Sequence, residues 1–325
     1  NFGIPAGWKG VIHDTASTST LTAIISAREK YSQFKINQHG YNNFNALTLY
    51  CSAQTHYSIE KGAKAAGIGL DNVIKIATDE NYAMQAAALE KQIQNDLAAG
   101  KQPFMVVAAL GTTSSLAFDP LSAISAICKK YNLWLHIDAA YAGAAFVLEE
   151  YQHYLNGIID ADSYVFNAHK WLFTNFDCSL YFVKDAQLLI NTFSSNPDYL
   201  KRTMDEVTNF KDWGLPLGRR FRALKLWFML RSFGIDGIKL HLRKHIALAQ
   251  HFLAKLLSGT NWELMAPFQM NVLCIRFHPA HIQDNDALNK INENIIQSIN
   301  ATGKFYLSGT RLNGNFVIRV VIGQT

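Results

Sequence analysis

The alternation of strand and helix patterns over residues 1–184 is the feature that most restricts the fold. Short apolar runs are separated by segments whose apolar residues recur at helical spacing. This rhythm predicts a mostly parallel sheet covered by helices on both faces, because parallel strands need crossover connections. Strands are expected at residues 9–14, 46–52, 72–78, 104–111, 133–139, 163–168 and 178–184. Helices are expected between them at residues 15–34, 58–67, 82–100 and 121–132.

The pattern changes at about residue 219 to a second, smaller unit that mixes long helices with strands. We therefore expect a large α/β domain over residues 1–225 and a small α+β domain over residues 226–325. The second unit is expected to contain helices at 219–234, 235–259 and 285–303 and strands at 271–278 and 315–322.

Charge and cysteine usage argue against several classes of function. The 325 residues are 49% hydrophobic and carry a formal charge of +5, with basic residues interspersed except for GRRFR at 218–222, so we expect no nucleic-acid partner. No apolar run approaches the roughly 18 residues of a membrane span, so no membrane partner is expected. The cysteines lack CxxC spacing, which argues against a metal site and favours a reduced, cytoplasmic setting. They are Cys51, Cys128, Cys178 and Cys274.

One lysine, Lys170, stands in an unusual context, NAHKWLFTNFDCS at 167–179. Most lysines are solvated surface charges. The neighbours of Lys170 are mostly apolar or aromatic, and Trp171 and Phe173 are among them. Such surroundings push a primary amine toward its neutral form, which attacks carbonyl carbons. We therefore expect Lys170 to be buried and to act on a carbonyl compound.

A carboxylate, Asp138, ends the strand that precedes this segment. An isolated Asp after a strand is as typical of a helix N-cap as of a buried carboxylate paired with a cation. Asp138 and Lys170 are 32 residues apart, which fits successive strands joined by one helical crossover. Open α/β sheets bind ligands beyond the carboxyl ends of their strands, so both side chains are expected to face one crevice.

A lysine that bonds an aldehyde and a carboxylate that keeps a pyridine nitrogen protonated are the minimum equipment for pyridoxal 5'-phosphate (PLP). Its phosphate needs a cradle, and DTASTST at 14–20 places hydroxyl residues at a helix start, where free N–H groups favour an anion. Ordinary capping is the commoner use of such residues. Asn167 and His169 are either further phosphate donors or plain polar residues at a strand end.

Two other polar residues follow strand ends. His56 is suited to stacking on a pyridine ring and to donating a proton, although a lone histidine is more often structural. Thr113 lies six residues before Asp119. It is either a polar tether for ring or substrate, or part of the turn that the sequence FDP indicates.

The segments WLHIDAAYAGAAF, LNGIIDADSYVFNAHKWLFTNFDCS and LPLGRRFRALKLWFMLRSFG resemble the group II PLP-dependent decarboxylases, most nearly the aromatic-L-amino-acid decarboxylases. The resemblance runs over essentially the whole chain. It implies a PLP-dependent transferase-like architecture of fold type I. It also implies decarboxylation of an L-amino acid, namely DOPA, tyrosine, tryptophan or 5-hydroxytryptophan, by a cytoplasmic homodimer.

The resemblance also implies roles for residues at matching positions. Lys170 would bond the PLP aldehyde, and Asp138 would contact the pyridine nitrogen. His56 would stack on the ring. Tyr199 matches a tyrosine that returns a proton after CO2 leaves, and a tyrosine there favours simple decarboxylation over aldehyde formation. The remaining cofactor contacts would be Ala16, Ser17, Asn167 and His169 at the phosphate, helped by Thr15, with Thr113 and Ala140 along the other side of the ring.

Some features depart from the family pattern and leave alternatives open. Ala168 stands where the family usually has Pro, and Asp14 where many members have Gly. An N-terminal segment and a C-terminal helical piece of the family are expected to be missing, so an inactive PLP-binding subunit is one alternative. The others are a decarboxylase of glutamate or histidine and an aminotransferase. An aminotransferase would clamp the substrate carboxylate with Arg276 or Arg319, which we interpret instead as members of small-domain ion pairs.

Overall fold

The computed structural model describes residues 2–42, 44–195 and 208–323. Its larger sheet has seven strands in the order β1-β7-β6-β5-β4-β2-β3. Strand β7 is antiparallel to both of its neighbours, and the other pairings are parallel, so the prediction of a mostly parallel sheet is confirmed. The strands are β1 (Lys9–His13), β2 (Leu47–Ser52), β3 (Val73–Ile76), β4 (Gln102–Ala109), β5 (Trp134–Asp138), β6 (Ser163–Asn167) and β7 (Ser179–Val183).

Helices cover both faces of this sheet, as expected. Side chains alternate along β2, so that Leu49 faces one apolar core and Tyr50 faces another. The first core contains Ile24 of α1, and the second contains Leu89 of α4. The helices up to this point in the chain are α1 (Ala16–Ser32), α2 (Lys35–His39), α3 (Ser58–Ala65), α4 (Ala86–Ala98), α5 (Leu121–Tyr131), α6 (Ala168–Trp171) and α7 (Ala186–Phe193).

The expected start of α4 at residue 82 is wrong by four residues. Asp79 Oδ1 accepts hydrogen bonds from the backbone N–H groups of Asn81 and Ala83, both at 2.9 Å. This turn holds Tyr82 at a φ of 64°, outside the right-handed helical region. The helix therefore begins only at Ala86.

The link between β5 and β6 is not the helical crossover that the sequence spacing suggested. It consists of three 3-10 segments, Ala142–Val147, Glu149–Leu155 and Ile158–Asp160. A Cβ atom on Gly143 would lie 2.3 Å from the Cβ of Phe166, so the first segment runs directly against β6. That close approach leaves no room for the wider cylinder of an α-helix and its side chains.

The second unit is built around an antiparallel sheet of four strands in the order β10-β11-β9-β8. Its short strands β8 and β10 were not predicted from the sequence. The two helices expected at 219–259 form one interval, α8, interrupted at Gly234, whose φ of 60° and ψ of 173° are not helical. No helix within the described ranges is long and apolar enough to cross a membrane. The elements are α8 (Arg222–Leu257), β8 (Trp262–Leu264), β9 (Val272–Phe277), α9 (Asn285–Ala301), β10 (Ser308–Leu312) and β11 (Asn315–Val321).

A buried carboxylate, Asp119, ties the end of β4 to the loop before α4. Its Oδ2 accepts a hydrogen bond from the backbone N–H of Ala109 at 2.7 Å, and its Oδ1 accepts one from the N–H of Met84 at 2.8 Å. These bonds give Asp119 a structural role, and Thr113 stays a candidate contact for the ring or the substrate.

Replacing Asp119 with Ala is expected to lower the free energy of unfolding by about 2–4 kcal/mol, because two buried N–H groups lose their acceptors. Urea denaturation at neutral pH measures the change. Asp71→Ala removes an exposed carboxylate and should change stability by less than about 0.5 kcal/mol. Equal stability of the Asp119 variant and the Asp71 variant would contradict the structural role of Asp119.

Candidate active site

The described candidate residues all follow the carboxyl ends of parallel strands. Strands β1, β2, β4, β5 and β6 point the same way, so the segments that follow them meet at one edge of the sheet. Tyr199 lies outside the described residues. The segments carry Thr15, Ala16 and Ser17 after β1, His56 after β2, Thr113 after β4, Asp138 and Ala140 at the end of β5, and Asn167, His169 and Lys170 at the end of β6.

Asp138 is the last residue of β5, and its side chain is directed by a local hydrogen bond. The residue is only 8% exposed. Its Oδ1 accepts from the backbone N–H of Ala140 at 3.0 Å. Its Oδ2 accepts no hydrogen bond from any described residue and is left available for a ligand. Asp138 thus combines a fixed orientation with one unpaired carboxylate oxygen.

Lys170 is the third residue of the four-residue helix α6. Ala168 and Trp171 beside it are buried, but the side chain of Lys170 is exposed, so the expectation that it is buried is wrong. The side chain nevertheless stands in a crevice walled by protein. Desolvation there lowers the pKa of the Lys170 ammonium, Asp138 opposes the change, and the positive charge of Arg319 adds to it.

The imidazole of His56 belongs to the same electrostatic neighbourhood. Its pKa is lowered, first by burial and then by the charge of Lys170, while Asp138 acts in the opposite direction. The backbone N–H of Ser58 donates to Nδ1 at 3.2 Å, so the neutral ring carries its proton on Nε2. Asp138 and Lys170 therefore lie close enough to His56 to influence its charge state.

The start of α1 is an open site for an anion. Thr15 is the N-cap residue, yet its side chain makes no capping hydrogen bond, and the first turn contains no acidic residue. The backbone N–H groups of residues 16–18 consequently have no hydrogen-bond partner among the described residues. Asp14 Oδ1 accepts from the Thr15 N–H at 2.6 Å, and the side chain of Ser17 is exposed. Free N–H groups and the helix dipole favour a phosphate here.

Asn167 and His169 bring further polar atoms to this edge. The Oδ1 of buried Asn167 has no hydrogen-bond partner among the described residues. The backbone N–H of Asn167 donates to the Ala140 carbonyl at 2.9 Å, which joins the segments after β5 and β6. His169 Nδ1 lies 2.7 Å from the Cys178 nitrogen and 2.9 Å from the Cys178 carbonyl oxygen, and burial lowers the pKa of the ring, so Nδ1 is held by the backbone and Nε2 has no partner among the described residues.

Thr113 is exposed in the turn after β4. The neighbouring Thr112 holds this turn, because its Oγ1 accepts from the Ala117 N–H at 3.0 Å. The hydroxyl of Thr113 makes no hydrogen bond to a described residue and is therefore free for a ligand.

The two arginines considered as substrate clamps have different surroundings. Arg276 is buried in the small unit, where it donates to Asn285, Asn289 and Asn315 and lies 4.0 Å from Glu263, as the ion-pair interpretation expects. Arg319 on β11 has no carboxylate partner among the described residues, so the ion-pair interpretation stays a prediction for it. Its charge acts on Lys170. A single cation inside the apolar strand NFVIRVVI was the available sequence signal.

A second arginine contact was not foreseen from the sequence. Arg222 forms a bidentate pair with Asp177, with Nε–Oδ1 at 3.0 Å and Nη2–Oδ2 at 2.9 Å. The pair lowers the pKa of Asp177 to about 2. It fixes the start of α8 to the segment that follows Lys170, so Arg222 of the basic GRRFR run has a structural role.

The described residues fit PLP in each of its functional parts. The free oxygen of Asp138 suits a pyridinium N–H, and the Lys170 amine suits an aldehyde. The uncapped N–H groups of α1 suit a phosphate. The imidazole of His56, whose pKa responds to both Asp138 and Lys170, suits a stacking contact with the ring.

Residues 3–278 match the family model described as the pyridoxal-dependent decarboxylase conserved domain. Tryptophan decarboxylase 2 of Oryza sativa subsp. japonica is 43% identical over 97% of this chain and 63% of its own length. Phenylacetaldehyde synthase of Arabidopsis thaliana is 40% identical over 97% of this chain and 64% of its own. The crystal structure of Oryza sativa TDC with PLP and tryptamine has a TM-score of 0.93 at 33% identity, covering 98% of this chain and 66% of that one.

These similarities confirm the expected architecture of fold type I. The chain spans less than two thirds of the length of these two curated relatives. With the family model matching residues 3–278, this chain belongs to the pyridoxal-dependent decarboxylase family.

Proposed function

We propose that this chain forms the core of a PLP-dependent carboxy-lyase that converts an aromatic L-amino acid into the amine and CO2. The observation that carries the proposal is the meeting of Lys170, Asp138 and His56 at one edge of the sheet, where Asp138 acts on the charge of both Lys170 and His56. The tryptophan decarboxylase from rice supports an aromatic substrate, and DOPA, tyrosine, tryptophan and 5-hydroxytryptophan are the candidates.

PLP, when bound, supplies an electron sink for the bond between Cα and the carboxylate. Asp138 would hold a proton at the pyridine nitrogen through its free Oδ2. A fixed negative charge at that atom needs no reorganisation during the reaction, which is why preorganised groups of this kind are effective. The Ala140 N–H holds the other carboxylate oxygen and keeps the group aimed.

The phosphate would lie at the start of α1. Ala16 and Ser17 would donate their backbone N–H groups, and the hydroxyls of Thr15 and Ser17 would add donors. His169 would add its Nε2–H when the ring carries its proton there. Asn167 would serve there if its side-chain amide presents nitrogen to the phosphate. Thr113 and Ala140 would line the side of the ring opposite His56.

Lys170 would bond the PLP aldehyde and would bond it again after the reaction. A lowered pKa increases the fraction of the amine that is neutral, and only the neutral amine attacks a carbonyl. His56 would stack on the ring with its proton on Nε2, where it is available to the substrate. Tyr199 stays our proposal for the group that returns a proton to Cα.

The division of the chain and its assembly are also proposals. The boundary at residue 225 falls inside α8, so we propose that α8 connects a large domain (1–225) with a small one (226–325).

A homodimer is supported by apolar side chains at the start of α8, where Phe221 is 75%, Trp227 53% and Phe228 56% exposed. Four buried free thiols support a reducing compartment, and hence the cytoplasm.

The charges around Lys170 should shift its pKa in opposite directions. Replacing Arg319 with Met removes a repelling cation and is expected to raise the pKa, whereas Asp138→Asn removes an attracting anion and is expected to lower it. The pH dependence of labelling by an amine-reactive reagent, followed by peptide mapping of the cofactor-free protein, gives both values. The exposed Lys91 in the same samples should not respond. Shifts of the same sign in both variants would refute the assigned neighbourhood.

The reaction is tested by incubating the full-length protein and PLP with a panel of aromatic and acidic amino acids. CO2 with amine is expected from an aromatic substrate. Equal release of CO2 and aldehyde would favour the chemistry named for the Arabidopsis relative, and keto acid without CO2 would establish an aminotransferase.

In the same assay, Asp138→Ala is expected to lower kcat by at least about a hundredfold, while borohydride still traps PLP on Lys170. Asp71→Ala is the control and should retain activity. Near-normal turnover of the Asp138 variant would remove its assigned role. PLP bound to Lys170 without turnover of any substrate in the wild-type protein would instead establish an inactive PLP-binding subunit.

The dimer interface is tested on one face of α8. Phe221, Leu224 and Phe228 recur at helical spacing and therefore share one face. The double variant Phe221→Asp/Phe228→Asp is expected to weaken self-association by at least about tenfold. Sedimentation equilibrium of the full-length protein measures it. Tyr306→Asp, at an 86% exposed residue of the small unit, is the matched control. A monomeric wild-type protein at micromolar concentration would exclude the dimer.

A further inference from the structure

The residue next to Lys170 is tied to α8 by a hydrogen bond that the proposed chemistry does not use. The indole Nε1–H of Trp171 donates to Nδ1 of His245 at 3.2 Å. We propose that His245 is a positioning residue that acts through Trp171 to fix the direction in which Lys170 projects into the crevice. The inference rests on the proposed function, because it concerns the reach of Lys170 toward the PLP aldehyde.

Helix α6 cannot fix this direction by itself. It has four residues, and a single helical turn contains too few internal hydrogen bonds to be stable alone. The chain reverses just after it, where Phe173 has a φ of 51° and the Thr174 N–H donates to the Ala168 carbonyl at 3.3 Å. The orientation of Lys170 therefore depends on tertiary contacts of its neighbours.

Trp171 is the neighbour that supplies these contacts. Its buried indole stacks on Tyr141 with ring centroids 5.2 Å apart and planes 8° from parallel. Tyr141 follows Asp138 by three residues, so one stack joins the segment that carries Lys170 to the segment that carries Asp138. A rotation of the indole would change the distance between these two groups.

The Tyr141 side of the stack is held by the small sheet. The Nδ2 of Asn271 donates to the Tyr141 hydroxyl at 2.7 Å and to the Ile322 carbonyl at 2.7 Å. Trp171 thus lies between Tyr141, whose hydroxyl is bound by Asn271, and His245, which accepts the indole N–H. Loss of the His245 acceptor would leave that buried N–H unpaired and free the ring to rotate.

The surroundings of His245 keep it able to accept this hydrogen bond. Acceptance at Nδ1 requires a neutral ring with its proton on Nε2. Burial lowers the pKa of His245, and the nearby His241 and Lys244 lower it further. From the segment after α6, the ring of Phe173 packs edge-on against both histidines, with centroids at 5.8 Å.

The test compares His245→Leu, which removes the acceptor, with His245→Asn, whose Oδ1 occupies the place of Nδ1. The readout is the rate constant for covalent attachment of PLP to Lys170, trapped by borohydride and quantified by peptide mapping of the full chain. We expect His245→Leu to slow attachment by about tenfold, because a displacement of about 1 Å costs up to a hundredfold in such steps. His245→Asn should remain within about threefold of wild type.

Trp171→Phe keeps an aromatic ring on Tyr141 but removes the donor, so it should slow attachment as His245→Leu does. The double variant should be no slower than either single one, since both remove the same bond. His251→Leu, at an exposed histidine of the same helix, is the control, and thermal unfolding shows which variants are folded.

The inference would be overturned if folded His245→Leu attaches PLP at the wild-type rate, or if the losses of attachment rate are additive in the double variant. Either result would leave the proposed function intact. Failure of Asn to restore the rate in a folded protein would also overturn the inference. If the wild-type protein attaches no PLP at Lys170, the proposed function itself is wrong, and this inference falls with it.

Discussion

Burial of a mostly parallel sheet on both faces is the constraint on which the candidate site depends. Each strand is mostly apolar on both sides, so most of the polar and reactive residues of the site lie where a strand ends. Because the strands run the same way, those ends meet at one edge. Asp138, Asn167 and the residues after β1 and β2 are brought together by this geometry, although they are far apart in the sequence.

The elements that could be predicted are those whose pattern directly reflects burial. The runs at β2, β4 and β5 are long and apolar, and each was expected within a few residues of its observed bounds. β10, with the sequence SGTRL, is largely polar and pairs at the edge of the small sheet, so no apolar period marks it. The 3-10 link after β5 depends on contact between Gly143 and Phe166, which no local pattern reveals.

The site was partly predictable for a related reason. Residue types and their places at strand ends indicated Lys170 and Asp138, but exposure and charge coupling depend on three-dimensional neighbours. Lys170 is exposed although Ala168 and Trp171 of the same short helix are buried. Arg319, 149 positions further along the chain, affects the Lys170 amine only because β11 of the small unit lies near that crevice.

Helix α8 contacts both units and connects them near the candidate site. Its Leu242 and Ile246 pack in the same core as Trp171, while Ala249, on the next turn, packs with Leu273 of the small sheet. Near its start, Arg222 binds Asp177 and holds the chain that follows α6. The break at Gly234 separates these two contacts, so each half of α8 can follow its own surface. A shift of the small unit would consequently act through the second half of α8 on Trp171, the neighbour of Lys170.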